Sequence, residues 1–213
     1  MSIDAAAMRV IEADRLLAVV RAPEIPDAAE LCAALVAGGI RAVEFTFTTP
    51  DVLSHLTVAA EAMEWLGGVV GAGTLRTGDQ ARQAVDAGAR FLVTPGLRRD
   101  VADVARQSGT PLLGGAFTPS EVLAALDLDV AAVKIFPAGR LGPKYLADLL
   151  GPLPEARLVP SGGVTVETAA DYLARGAVAV SAGADVVSPP AVAAGDWSQI
   201  TDRARALVRA VSP

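Results

Sequence analysis

Cysteine, histidine and lysine are scarce in this chain of 213 residues, which contains one, one and two of them. The single cysteine, Cys32, excludes an internal disulfide, and its apolar neighbours predict a small buried side chain on a helix. One histidine, His55, cannot build a histidine-rich metal site, although carboxylates could still bind Mg²⁺. We therefore predict neither a metal nor an organic cofactor.

Clusters of basic residues and long apolar runs are also missing. A net charge of −6 with dispersed arginines argues against nucleic acid and anionic membranes as partners. No apolar run reaches the roughly 18 residues that span a bilayer, and the start from Met1 to Ala5 lacks a signal-peptide pattern. We expect a cytoplasmic protein with a small-molecule substrate, which can still be anionic because single arginines can bind it.

Short β-branched runs alternate with helical patterns about every 20 to 25 residues, as in repeated βα units. The predicted strands are Leu16–Ala22, Ala42–Phe47, Val69–Thr74, Phe91–Thr94, Pro111–Ala116, Ala131–Phe136, Arg157–Pro160 and Ala177–Ser181, and a last helix runs from Trp197 to Val211. This pattern predicts one α/β domain over residues 1–213, a (β/α)8 TIM barrel. An open doubly wound sheet is the alternative, but Arg21-Ala22-Pro23 replaces the glycine-rich turn expected after its first strand.

Lys134 stands inside an apolar run that extends from Val130 to Pro137. Among side chains of its charge, only a lysine amine can attack a ketone and form a Schiff base, and a water-poor pocket favours the reactive amine. The alternative is a lysine at a strand end that reaches solvent or pairs with a carboxylate. This segment alone does not separate the two.

Alternation along barrel strands predicts which side chains point toward the axis. Val133 and Ile135 should pack on helices, which turns Lys134 inward; by the same reasoning Glu44 with Thr46, and Arg21, also point inward. Three charges should therefore meet at the C-terminal mouth, where barrel active sites lie. Glu44 could move protons for Lys134 or serve only as its ion-pair partner.

Glycines mark four strand ends. Gly71-Ala72-Gly73-Thr74 and Leu113-Gly114-Gly115-Ala116 could clear space for a ligand near the backbone, although glycine also serves tight packing. Ser161-Gly162-Gly163 and Ala182-Gly183-Ala184-Asp185 follow strands 7 and 8, where barrels commonly bind phosphate through backbone N–H groups. Plain turn glycines are the competing interpretation of these loops.

The chain resembles the 2-keto-3-deoxy-6-phosphogluconate (KDPG) and 6-phosphogalactonate (KDPGal) aldolases, a class I family that includes 4-hydroxy-2-oxoglutarate aldolases. The similarity runs from about Leu16 to Trp197. It rests on collinear motifs: Val43-Glu44, Gly71-Ala72-Gly73-Thr74, Thr94-Pro95-Gly96, Lys134-Ile135-Phe136-Pro137 and Pro160-Ser161-Gly162-Gly163-Val164.

The resemblance implies a homotrimeric barrel that reversibly splits a 2-keto-3-deoxy-6-phospho sugar acid into pyruvate and glyceraldehyde 3-phosphate. By position, Lys134 matches the Schiff-base lysine, Glu44 the proton-transfer residue, and Thr74 the residue that holds the pyruvyl carboxylate. The other predicted substrate-binding residues are Arg21, Thr48, Phe136, Pro160 and Ser161. The predicted phosphate-binding residues are Gly162, Gly163, Gly183 and Ala184.

Two positions differ from the family pattern, while Ile135-Phe136-Pro137, Gly142-Pro143-Lys144-Tyr145 and Asp185 look more like its galactonate branch. Thr48 stands where the gluconate branch has an arginine, so recognition of an acid group could pass to Arg21. Ala184 replaces the usual serine and removes one hydroxyl donor to phosphate, while Asp185 adds a negative charge if it faces the site. One neutral hydrogen bond is worth only about 1 kcal/mol, so we still predict that phosphate is preferred.

Four alternatives differ in function. The nearest is an aldolase for an unphosphorylated 2-keto acid such as 4-hydroxy-2-oxoglutarate. The others are a metal-dependent aldolase, another phosphate-binding barrel enzyme such as an isomerase, and a non-catalytic sugar-acid binder. Glu44 and Lys134 together argue against the last.

Overall fold

Eight parallel strands alternate with helices and form a barrel in the computed structural model, which describes residues 5–212. Hydrogen-bonded neighbours follow the order β7-β6-β5-β4-β3-β2-β1-β8, and a bridge between Ser161 and Ser181 brings the two ends of the sheet together. The strands are β1 Leu16–Val20, β2 Ala42–Thr46, β3 Val69–Gly73, β4 Leu92–Val93, β5 Leu112–Ala116, β6 Ala132–Ile135, β7 Leu158–Pro160 and β8 Val180–Ala182. The predicted (β/α)8 barrel is confirmed.

Helices surround the barrel and begin where the sequence supplies caps. Asp27 accepts hydrogen bonds from the N–H groups of Ala29 and Glu30, Thr77 does so from Gln80, and Thr118 forms a capping box with Glu121. The helices are α1 Ala5–Asp14, α2 Ala28–Ala37, α3 Val52–Leu66, α4 Gly78–Asp86, α5 Arg99–Ser108, α6 Pro119–Leu126, α7 Lys144–Leu150, α8 Val166–Ala174, α9 Pro189–Ala193 and α10 Trp197–Val211, with a 3₁₀ turn at Ala138–Arg140.

Two apolar cores lie on opposite faces of the strands. The larger lies between strands and helices and contains Val20, Val43, Phe45, Val133 and Ile135. The smaller fills the barrel axis with alternate side chains of the same strands, such as Leu17, Ala42, Leu113, Ala132 and Val159. This alternation confirms the predicted directions of the strand residues beside Lys134, Glu44 and Arg21.

The first helix was not predicted from the sequence. Ala7, Met8 and Ile11 of α1 pack against the axial core together with Phe91 and Ala179. These two residues directly precede β4 and β8, so α1 covers the N-terminal end of the barrel. The barrel is therefore packed below its C-terminal mouth.

Other boundaries shift by a few residues. The eighth strand was predicted over Ala177–Ser181 but runs over Val180–Ala182, because the Ala177 N–H bonds the carbonyl of Tyr172 as the chain leaves α8.

Cys32 is buried on α2 as expected. Its burial, with a smaller effect of Asp27, raises the pKa of its thiol to about 12. Within residues 5–212, no helix has the length and apolar character required to cross a bilayer.

Candidate active site

A cavity of about 540 Å³ opens at the C-terminal ends of the strands. Eight predicted site residues line it: Arg21, Lys134, Phe136, Ser161, Gly162, Gly163, Gly183 and Ala184. Five further lining residues are absent from that prediction: Val19, Val164, Thr165, Asp185 and Pro189. We call the part around Lys134 and Glu44 the inner end, and the loops that carry Gly162, Gly163 and Gly183 to Asp185 the outer end.

Lys134 and Glu44 meet at the inner end. They belong to β6 and β2, which lie four strands apart in the sheet, so the two side chains meet across the barrel axis. The Nζ atom of Lys134 lies 3.4 Å from both Oε1 and Oε2 of Glu44, and both residues are buried. Nζ also lies 5.9 Å from the centroid of the Phe136 ring. An amine and a carboxylate at this distance can exchange protons through a small shift or one water.

Glycines of β3 and β5 make room for protein atoms, which corrects the expectation that they clear space for a ligand. A Cβ atom at Gly73 would overlap the Glu44 carboxylate, and one at Gly71 would overlap the Phe91 ring. At Gly115 it would overlap the backbone of Pro95 and Gly96. None of these glycines lines the cavity. Gly73 is thus the residue that admits Glu44 to the axis.

Arg21 and Thr74 form a pair at the rim. Arg21 is exposed, and its Nη2 donates to the Thr74 hydroxyl at 3.1 Å. Thr74 has φ +58°, a left-handed conformation that is uncommon for a β-branched residue and typical of sites where position matters more than strain. The strained backbone therefore holds the hydroxyl beside the only rim arginine that lines the cavity in residues 5–212.

Three predicted binding residues lie off the cavity wall. Thr48 has its hydroxyl 3.0 Å from that of Thr46, Thr74 contacts the site through Arg21, and Pro160 pairs with Ile135 inside the sheet. Glu44 lies beneath Lys134 and is also absent from the wall. Direct contact of these residues with a ligand stays a prediction.

The outer end is made of two glycine loops. Gly162 and Gly163 both have φ +81°, and a Cβ at Gly162 would lie 2.9 Å from the Phe136 ring. Only glycine fits this conformation and this close approach without strain. Among residues 5–212, the N–H groups of Gly163, Gly183 and Ala184 have no backbone or side-chain acceptor, so they can donate to a ligand. The Gly162 N–H belongs to the bridge between Ser161 and Ser181.

Asp185 holds the outer end together. Its Oδ2 accepts a hydrogen bond of 3.1 Å from the N–H of Val166, the first residue of α8. Its carbonyl accepts another of 3.1 Å from Nη1 of Arg203 on α10. The sequence shows Asp185 after a glycine loop but does not reveal that its carboxylate faces both the cavity and a helix end.

A buried lysine beside a carboxylate, at the C-terminal mouth of a (β/α)8 barrel, defines a barrel enzyme equipped for Schiff-base chemistry. The model of the KDPG and KHG aldolase family matches residues 8–203. The chain belongs to this family and is an aldolase.

Relatives and solved structures agree with that assignment. The chain is 36% identical to 2-dehydro-3-deoxy-phosphogluconate aldolase of Treponema pallidum (strain Nichols), over 90% of each chain. It is 34% identical to the KHG/KDPG aldolase of Escherichia coli (strain K12), over 89% of each. The structure of KDPG aldolase from Legionella pneumophila, with pyruvate captured as a covalent carbinolamine, superposes with a TM-score of 0.85 at 31% identity, covering 93% of this chain and 96% of that one.

Proposed function

We propose that this protein is a class I aldolase that reversibly cleaves a 2-keto-3-deoxy sugar acid and releases pyruvate. The observation that carries the proposal is the buried pair of Lys134 and Glu44, with Nζ 3.4 Å from the carboxylate at the inner end of the cavity. A lysine in such a place has a use that an arginine lacks, because only its amine forms an imine.

The reaction follows from the placement of these two groups. The amine of Lys134 attacks the C2 ketone, and loss of water gives a protonated Schiff base. Glu44 accepts the proton of the C4 hydroxyl, directly or through water, while the C3–C4 bond breaks and its electron pair moves into the iminium. The aldehyde leaves, C3 of the enamine takes a proton, and hydrolysis returns pyruvate and the free amine.

Two candidate substrates of this class differ in the terminal group, phosphate or hydroxyl, that would reach the outer end of the cavity. The 6-phospho acid, which would give glyceraldehyde 3-phosphate, agrees with the names of the relatives and with the free N–H groups of Gly163 and Gly183. The unphosphorylated acid is a second candidate, because the Asp185 carboxylate lines the same end. The homotrimer and the cytoplasmic location implied by the resemblance stay predictions.

Borohydride trapping tests the mechanism. With pyruvate present, borohydride should inactivate the enzyme irreversibly and add a reduced pyruvyl group to Lys134, because a reduced imine cannot hydrolyse. Mass spectrometry of peptides locates the group. Lys144, the other lysine of the chain, is exposed at the start of α7 and serves as the matched control: Lys144→Arg should still be trapped, and Lys134→Arg should not.

Two results would contradict this mechanism. The first is borohydride labelling of Lys144 in place of Lys134, together with full activity of Lys134→Arg. The second is loss of pyruvate release in EDTA with recovery on adding Mg²⁺, which would favour a metal-dependent aldolase. Among residues 5–212, no three His, Cys, Asp or Glu side chains come together in a way that could hold a metal ion.

A further inference from the structure

The loop between β3 and α4, residues Thr74 to Thr77, carries the strained threonine at the rim of the cavity. Thr74 has φ +58°, and its hydroxyl accepts the hydrogen bond from Arg21. A β-branched residue keeps a left-handed backbone only where its surroundings hold it there. The contacts that fix this loop therefore decide where the Thr74 hydroxyl lies.

Two hydrogen bonds within the segment give it its shape. The Arg76 N–H donates to Oε1 of Gln80 at 2.8 Å, and the Gln80 N–H donates to the Thr77 hydroxyl at 3.2 Å. Both bonds join the loop to the first turn of its own helix. They would move with the segment, so they do not set its place in the barrel.

Two other hydrogen bonds join the segment to the rest of the barrel. At the strand end, the Leu75 N–H donates to the carbonyl of Val93 in β4 at 3.2 Å, and the Leu75 side chain is fully buried. At the helix end, the N–H of Gly78, the first residue of α4, donates to Oδ2 of Asp100 at 2.9 Å. Asp100 belongs to the first turn of α5. The loop is thus held by a backbone bond at one end and by a side chain from a different helix at the other.

Asp100 is itself held in place. Arg98 donates from Nε to Oδ1 at 3.0 Å and from Nη2 to Oδ2 at 3.1 Å, a two-point pair that fixes the orientation of the carboxylate. Arg98, and after it the Gly78 N–H, lower the pKa of Asp100 to about 2, so the carboxylate stays charged at any pH well above that value. A Cβ atom at position 78 would lie 3.2 Å from the Asp100 carbonyl oxygen, so glycine there permits the close approach.

We propose that Asp100 is a positioning residue of the aldolase: through the Gly78 N–H it holds the loop after β3 so that the Thr74 hydroxyl stays beside Arg21. Asp100 does not line the cavity, so it acts through Thr74 and not on the substrate. This inference rests on the proposed function, because it takes the pair of Arg21 and Thr74 as a binding element for an acid substrate. It extends that element to the start of α5.

Asp100→Ala tests the proposal by removing the acceptor of the Gly78 N–H. The substrate is a six-carbon 2-keto-3-deoxy acid, with or without the 6-phosphate, whichever the wild type cleaves faster. KM should rise at least about fivefold while kcat changes less than about threefold, because Lys134 and Glu44 keep their places. Asp100→Asn keeps an acceptor for the N–H, so its KM should stay within about twofold of the wild type.

Hydrogen exchange gives a readout that needs no substrate. The Leu75 and Gly78 amides should exchange at least about tenfold faster in Asp100→Ala, because the helix end of the loop is released. Gly78→Ala is a second variant with the same expected direction, since its methyl would press on the Asp100 backbone. Thermal unfolding verifies that each variant keeps the fold.

Asp103→Ala is the matched control. Asp103 also lies on α5 and pairs with an arginine, Arg106, whose Nη2 donates to Oδ1 at 2.6 Å, but in the described part of the chain it has no hydrogen bond to the loop after β3. Its KM and exchange rates should equal those of the wild type. Thr74→Val supplies the second control: if Asp100 acts through Thr74, adding Asp100→Ala to it should change KM less than about twofold.

Three outcomes would overturn the proposal. One is a wild-type KM in Asp100→Ala with unchanged exchange at Leu75 and Gly78. Another is a rise in KM that persists in full when Asp100→Ala is combined with Thr74→Val. The third is an equal rise in Asp103→Ala, which would assign the effect to the charge of α5. Absence of pyruvate release by the wild type from either acid would instead refute the aldolase function, and hydrogen exchange would still show whether Asp100 holds the loop.

Discussion

At the inner end of the cavity, Lys134 and Glu44 lie on strands and are enclosed by packing, whereas at the outer end Asp185 lies on a loop and is half-exposed. Strand register and the clearance at Gly73 fix the inner pair, so its geometry is inseparable from the fold. The outer end depends on loops whose side chains can change with less disturbance to the core. This barrel can therefore keep one reaction while its choice of substrate varies.

Gly73→Ala should lower kcat more than the other substitutions below. Gly73 takes no part in the reaction itself, but it makes room for Glu44 at the inner end. The added methyl would displace the Glu44 carboxylate, and we expect kcat to fall at least about 10³-fold. Gly183→Ala provides the comparison at the outer end. Nothing lies within 4 Å of its added Cβ, so the loss in kcat/KM should stay below about tenfold.

Steady-state kinetics of both glycine variants, with circular dichroism to verify folding, measures this contrast. If Gly73→Ala retained more than about a tenth of the wild-type kcat, Glu44 would not need its present position.

Glu44→Gln separates adduct formation from bond cleavage at the inner end. The amide keeps the size of the side chain but accepts no proton, so kcat should fall about 10²-fold or more. Borohydride with pyruvate should still label Lys134, since the amine remains. Near-normal turnover would mean that Glu44 serves only as the ion-pair partner of Lys134.

Arg21→Met examines the rim between the two ends and should give the smallest effect. Its guanidinium can form a charge-assisted hydrogen bond with an acid substrate, so KM should rise at least about tenfold with a smaller change in kcat. Arg76→Met is the matched control, because Arg76 is exposed nearby on the loop after β3 but does not line the cavity. An equal KM in both variants means that Arg21 does not contact substrate.

The inner end was predictable from the sequence; at the outer end the glycine loops were predicted and the contacts of Asp185 were not. Alternation along a strand fixes the direction of a side chain, so Lys134, Glu44 and Arg21 could be placed inward before any coordinates. The role of Gly73 depends on what lies across from it, which strand periodicity does not encode. Asp185 reaches the start of α8 through a loop, and loop conformation has no comparable rule. Helix α1 escaped prediction because it precedes the first strand and so lies outside the repeated βα pattern.

The packing of α1 under the barrel has a consequence for the order of events in turnover. Among residues 5–212, Ala7, Met8 and Ile11 close the axis from below, and Lys134 lies at the inner end of the cavity. In the proposed reaction, pyruvate stays attached to Lys134 while the aldehyde occupies the route to solvent. The aldehyde must depart before pyruvate can, and in the reverse direction pyruvate must enter first. In the proposed reaction the covalent imine sets this order, and α1 closes the other end of the axis.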